Sequence, residues 1–206
     1  MEAILDLARE QRITAYPLKF TRNINGKRNL VTGYAAVFNR SSIKIGWFKE
    51  KIAPGAFEGT DMSDVLCLLN HDQNIIYARK FGTCNTLKLF TDVTGLKYEF
   101  ESPNTQEGRN LQVNIGLINI MHSGIIFTSE KDEWTRLKGD KDGALELRTI
   151  TKIKKLFTVS IVTLPTNYDT SITQLKRFYG KKTFPELEKA RERMEQKRIM
   201  YNNQKF

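Results

Sequence analysis

The chain has 206 residues, 40% of them hydrophobic, and 33 Lys and Arg against 23 Asp and Glu, a net charge of +10. This length holds one domain of ordinary size with an appendage, and buries a core without disulfide or metal staples. Two cysteines, Cys67 and Cys84, exclude a disulfide scaffold, and the lack of any 18-residue apolar run excludes a membrane-spanning helix. The cysteines read as reduced and intracellular, and MEAILDLAREQR, with Glu2 and Asp6, does not read as a signal peptide.

The charge is unevenly placed. From Lys176 to Phe206 there are ten Lys and Arg against four Glu, 10 − 4 = +6, which leaves 10 − 6 = +4 for the remaining residues. A basic tail, not a basic domain face, carries most of the excess.

In chain order, residues 1–12 read as a helical lead. Residues 14–40 read as two strand-rich runs around a turn at Asn25-Gly26-Lys27. Residues 41–63 read as loop, with Pro54-Gly55-Ala56-Phe57 placed to open a short helix. Asp64–Asn70 (DVLCLLN) reads as a buried strand, and NTLKLFTD and LKYEFES as a hairpin around Val93-Thr94-Gly95. Leu111, Ile115 and Ile118 recur at helical spacing within 105–121, with Thr105 and Gly108 near the helix start. Ile125–Thr128 reads as a strand, Asp140–Gly143 as a loop tip, and LELRTITKIKKLFTVSIVTLP as two strands or one bent one. Thr151–Lys155 (TKIKK) reads as a solvated strand face. Residues 184–202 read as a charged helix capped by Thr183, with a thin apolar stripe from Leu187 to Met200.

His71 and His122 are the chain's two histidines. His71 is placed at a strand end in Asn70-His71-Asp72, and His122 at the end of the predicted helix, beside Ser123. A histidine and a serine from separate segments are the minimum for nucleophilic acyl transfer, in which imidazole takes and returns the hydroxyl proton. The two histidines with Asp72 specify no metal site by their spacing.

Five ordered blocks then carry a resemblance: TGYAAVFNRSS, FKEKIAPGAFEGT, DVLCLLNHDQNIIYAR, GTCNTLKLFTDVTGLKYEFESPNT and VSIVTLPTNYDT. Over about residues 13–178 the chain resembles the prohead (procapsid) serine proteases of tailed bacteriophages, whose core is similar to the herpesvirus assemblin fold. The resemblance implies an α+β domain, a mostly antiparallel β-barrel with packed helices; the basic C-terminal helix of residues 179–206 follows it and is read from the chain's own charge pattern. It implies His71 as general base and acid, Ser123 as nucleophile and Gly124 as an oxyanion donor through its backbone N–H. His122 either orients His71, as the Ser-His-His set of assemblin implies, or replaces the nucleophile.

Two positions depart from the family pattern. In the family stretch Gly-x-Ile-x-x-Met-Ser-Phe-Gly-Phe, an ungapped fit from Gly116 puts His122 at the serine. Anchoring on Phe127 and Trp134 puts Gly124 there instead, so neither fit aligns Ser123. Where the family has an acid before Val-Ser, this chain has Thr158, with Glu146 as the substitute considered.

Two functions follow from the resemblance. One is a serine endopeptidase that digests scaffold and trims capsid-protein ends. The other is a protease-fold component of the capsid without catalysis, docked by its basic tail on capsid or portal protein or on packaged DNA. Both imply the major capsid protein and scaffold as partners, a homo-oligomer as in assemblin-like relatives, and a place inside the procapsid in the bacterial cytoplasm. Neither implies a cofactor, a metal or a membrane.

Overall fold

Apolar residues at every second position make strands half-buried, and that pattern builds most of this chain. The computed structural model describes residues 9–14, 18–21, 29–42, 44–45, 47–141 and 143–163. In order these form β1 (Glu10–Thr14), β2 (Lys19–Thr21), β3 (Leu30–Val37), β4 (Phe48–Ile52), β5 (Asp64–Leu69), β6 (Asp72–Phe81), β7 (Cys84–Asn85), β8 (Leu87–Thr91) and β9 (Gly95–Glu101). The helix α1 (Gln106–Gly116), β10 (His122–Arg136) and β11 (Glu146–Val162) follow.

The strands make two sheets. The larger runs β1-β10-β11-β5-β6-β7, with β4 also on β11, and the smaller runs β2-β3-β9-β8. Most pairs are antiparallel, but β4 and β5 pair in parallel with opposite ends of β11. The core lies between the sheets, with Val31, Leu96 and Phe100 from the smaller facing Ile125, Phe127, Val159 and Ile161 from the larger.

The expected closed barrel is therefore corrected to two open sheets, because β1 and β7 end the larger sheet without pairing to each other. The expected packed helices reduce to α1 among the described residues. Its start is as the sequence implies: Thr105 is the N-cap, and its hydroxyl accepts from the Gly108 N–H at 3.1 Å.

Local corrections follow the same physics. Residues 10–12, read as part of a helical lead, are strand, because β10 supplies their hydrogen-bond partners. The loop-like stretch 41–63 contains β4, and Pro54–Gly59 forms turns, not a helix. His122 begins a strand instead of closing the helix, which ends six residues earlier. The expected hairpin is present as β8 and β9, with Asp92 accepting from the Thr94 and Gly95 N–H groups at its turn. The Asn25–Lys27 turn and the C-terminal helix lie outside the described residues.

β10 and β11 form a long ribbon whose register shifts at four points between Ile126 and Asp132. Those bulges explain why β11 reads as one bent strand or two: its buried positions step from Ile150 to Ile153 to Leu156, then run unbroken from Thr158 to Val162. Near the ribbon's far end, Trp47 stacks on Trp134 with ring centroids 5.3 Å apart, and Phe48 meets Trp134 edge-on.

A polar network fastens β1 and β4 to this ribbon. Arg12 grips Glu50 with two nitrogens, one of them at 2.7 Å, and bonds Glu10 at 2.7 Å. Arg148 bonds Glu50 at 2.9 Å, Asp132 at 2.6 Å, Ser129 at 2.9 Å, and Glu10. Glu50 is only 3% exposed, so both arginines are needed to offset its desolvation. Burial raises the Glu10 pKa, yet hydrogen bonds from Arg148 and Ser129 outweigh it and leave the carboxyl below its ordinary 4.5. A depressed carboxylate stabilises the fold above its unfolded pKa and loses that contribution as pH falls. Glu50→Ala should thus cost about 3 kcal/mol in urea unfolding at pH 7, by removing the buried carboxylate that Arg12 and Arg148 share. Lys152→Ala, which removes a pair with Glu130 that is about 40% exposed, should change stability by less than about 0.5 kcal/mol. The wild-type protein should lose stability below about pH 4.5 as Glu10 takes up its proton.

Candidate active site

His71 stands in the two-residue turn that joins β5 to β6. Leu69 pairs with Asp72, and both turn residues are left-handed, Asn70 at φ 52° and His71 at φ 61°. This is the two-residue hairpin geometry in which asparagine is favoured first and glycine second. A histidine in the second place costs about 1 kcal/mol of backbone strain, held by the contacts around it.

Those contacts explain the Asn-His-Asp triplet. The Asn70 amide oxygen accepts from the Thr163 N–H at 2.9 Å and lies 3.1 Å from its hydroxyl, pinning the turn to the end of β11. Asp72 accepts from the Asn74 N–H at 2.9 Å and sets the start of β6. The His71 ring folds back over the sheet, with Nδ1 at 2.9 Å from Ser160 Oγ and 3.2 Å from Thr158 Oγ1. Two residues apart on β11, these hydroxyls share one face.

Opposite Ser160, across the β10–β11 ladder, lies Gly124. A Cβ placed on residue 124 stands 2.8 Å from His71 Nε2 and 2.8 Å from the Arg12 carbonyl oxygen. The imidazole is thus aimed at position 124 itself. Its Nε2 is buried and has no hydrogen-bond partner.

Ser123 lies on the other face of β10. It is fully buried in the core, and its hydroxyl bonds the Tyr98 hydroxyl at 2.8 Å, a link between the two sheets. Tyr98 reaches it by lying across Gly33, its partner on β3, where a Cβ would meet the ring at 2.7 Å. Side chains alternate along a strand and β10 is regular from His122 to Ile126, so one residue of offset turns Ser123 away from His71.

The other expected residues sort by the same geometry. His122 shares the Gly124 face by alternation, but neither of its ring nitrogens has a hydrogen-bond partner, so it does not orient His71. Ser160 and Thr158 do, and nothing in their spacing announces this beyond their place in the Val-Ser block. Glu146 opens β11, opposite Arg136, twelve residues before Thr158 and tens of ångströms away along the strand. Gly124 contributes the absence of a side chain. Among the described residues no group of three or more His, Cys, Asp or Glu could hold a metal.

Chemically, the site favours a neutral imidazole. Burial lowers the pKa of both His71 and His122 to about 4, and among the described residues no carboxylate contacts His71 Nδ1 to support an imidazolium. Ser160 touches the ring but is fully buried between β10 and β5, with no approach for a substrate carbonyl.

Both histidines should stay uncharged on NMR titration until about pH 4. Because their folded pKa values are depressed, acid should weaken the fold from about pH 6.5 downward. Ser123→Ala should cost about 1–3 kcal/mol, by leaving the buried Tyr98 hydroxyl unpaired, and leave the His71 titration unchanged.

No curated protein and no solved structure gave a match. The model of the caudovirus prohead serine protease family matches residues 16–183, a stretch holding the His71 turn, the Gly124 strand and the Ser160 strand, so the chain belongs to that family.

Proposed function

We propose that this chain is a member of the prohead protease family without peptidase activity, acting as a structural component in head assembly. The observation that carries the reading is position 124, which His71 Nε2 faces and which bears no side chain. An acyl-transfer site needs a hydroxyl within about 3 Å of the imidazole nitrogen, and glycine supplies none. Thr158 supports the same reading: its hydroxyl orients the ring but cannot balance an imidazolium as a carboxylate does. The endopeptidase reading requires Ser123, whose hydroxyl is fully buried against Tyr98. The family implies procapsid components as partners, and the major capsid protein and scaffold are the ones proposed. The basic tail proposed to dock on them lies outside the described residues.

Co-expression of the chain with its capsid protein should leave the capsid protein full-length, and a fluorophosphonate probe should not label the purified chain. Labelling that disappears in Ser123→Ala would overturn the proposal. Gly124→Ser should not create an efficient protease. Its Cβ meets the β1 backbone as well as the imidazole, so it should instead destabilise the fold by about 1–3 kcal/mol in thermal unfolding.

A further inference from the structure

The edge of β10 beside Gly124 is covered by β1, and β1 precedes residues 16–183, the stretch that matches the family. β1 runs antiparallel to β10 from Glu10 opposite Phe127 to Thr14 opposite Ser123, with Ile13 opposite Gly124. A protease takes its substrate as an extended strand laid on an enzyme edge, with one carbonyl brought against the nucleophile. β1 has that arrangement. The Arg12 carbonyl oxygen and His71 Nε2 converge on one point, each 2.8 Å from a Cβ at position 124.

The strand is also held by a side chain, not by its backbone alone. Arg12 is gripped by Glu50 through two nitrogens, and Glu50 is 3% exposed. Without β1, the groups left around that place are Glu50 and Asp132 against Arg148, a net charge of −1. Such a pocket accepts a planar cation.

We infer that β1 is an intramolecular occupant of a strand-binding edge, and that this edge takes an extended peptide carrying an arginine read by Glu50. The inference goes beyond the loss of catalysis, since it concerns what the edge of β10 binds and not the chemistry at His71. Its ligand class is a segment of the type Arg-Glu-Gln-Arg-Ile-Thr, residues 9–14 of this chain, supplied in trans when β1 is displaced. Because β1 competes for the edge, a free peptide binds the intact chain only in proportion to the fraction with β1 released.

The test uses the full chain, a fluorescent Arg-Glu-Gln-Arg-Ile-Thr peptide and hydrogen exchange. Arg12→Ala removes the grip while keeping Glu50. Ile13→Pro, a second route, removes a strand N–H and blocks regular pairing. In either variant, amides at 10–14 and 123–127 should exchange faster than in the wild type. The peptide should bind at least roughly tenfold tighter than to the wild type and restore protection at 123–127. A peptide with alanine in place of its second arginine, and the double variant Arg12→Ala with Glu50→Gln, should each lose that gain. Two outcomes overturn the inference. One is release of β1 without peptide binding, or binding indifferent to the arginine. The other is unchanged exchange at 10–14 in both variants, which would make β1 a fixed strand of the sheet.

Discussion

Position 124 cannot carry a side chain without moving something, and the site takes its form from that constraint. On one side is the imidazole of His71, held by a left-handed turn and two hydroxyls. On the other is the carbonyl of Arg12, on a strand fastened by the Arg12–Glu50–Arg148 network. The imidazole is a flexible neighbour, but the carbonyl is backbone and cannot swing aside. Charges buried some distance from the histidine therefore help to fix what residue 124 is allowed to be. Glycine is the residue compatible with all of these contacts at once.

Strand alternation carries the same constraint into the core. With Gly124 facing the imidazole, Ser123 must face inward, where it bonds Tyr98 and ties the sheets together. Moving Ser123 to the imidazole would need a one-residue shift of β10 against both β1 and β11. It would also turn Ile125, which is completely buried, out of the core. The first bulge that could absorb such a shift lies between Ile126 and Phe127, past Ile125. The position of the serine is thus a consequence of packing, not of local loop geometry.

Much of this was legible in the sequence where a local rule decides the structure. DVLCLLN reads as a strand because its burial is nearly continuous, the β8–β9 hairpin because glycine and Asp92 mark its turn, and α1 because Thr105 caps it. The register of Ser123 was legible only as a conflict between two fits, and the fit anchored on Phe127 and Trp134 matches the geometry. What stayed hidden depends on pairing distant in the chain. β4 is a strand because β11 lies beside it, a hundred residues later, and residues 10–12 are strand because of β10. The bond from His71 to Ser160 spans 89 residues. No local signal encodes such a contact, although the Asn-His-Asp and Val-Ser blocks each hold one half of it.

On the proposed reading, the departures at positions 124 and 158 are physically one change. In a working acyl-transfer site the imidazole must carry a positive charge for part of each cycle, and a buried carboxylate beside it supports that state. Without a hydroxyl at 124 there is no proton to take, and a carboxylate at the buried position 158 would face a neutral ring. That carboxylate would then be an unpaired buried charge, which is costly. A threonine there keeps one hydrogen bond to Nδ1 and adds no charge, and burial then holds His71 neutral down to about pH 4. Nε2, left without a partner against the glycine, is the remaining polar cost of the arrangement, and it is far smaller than that of a buried unpaired carboxylate.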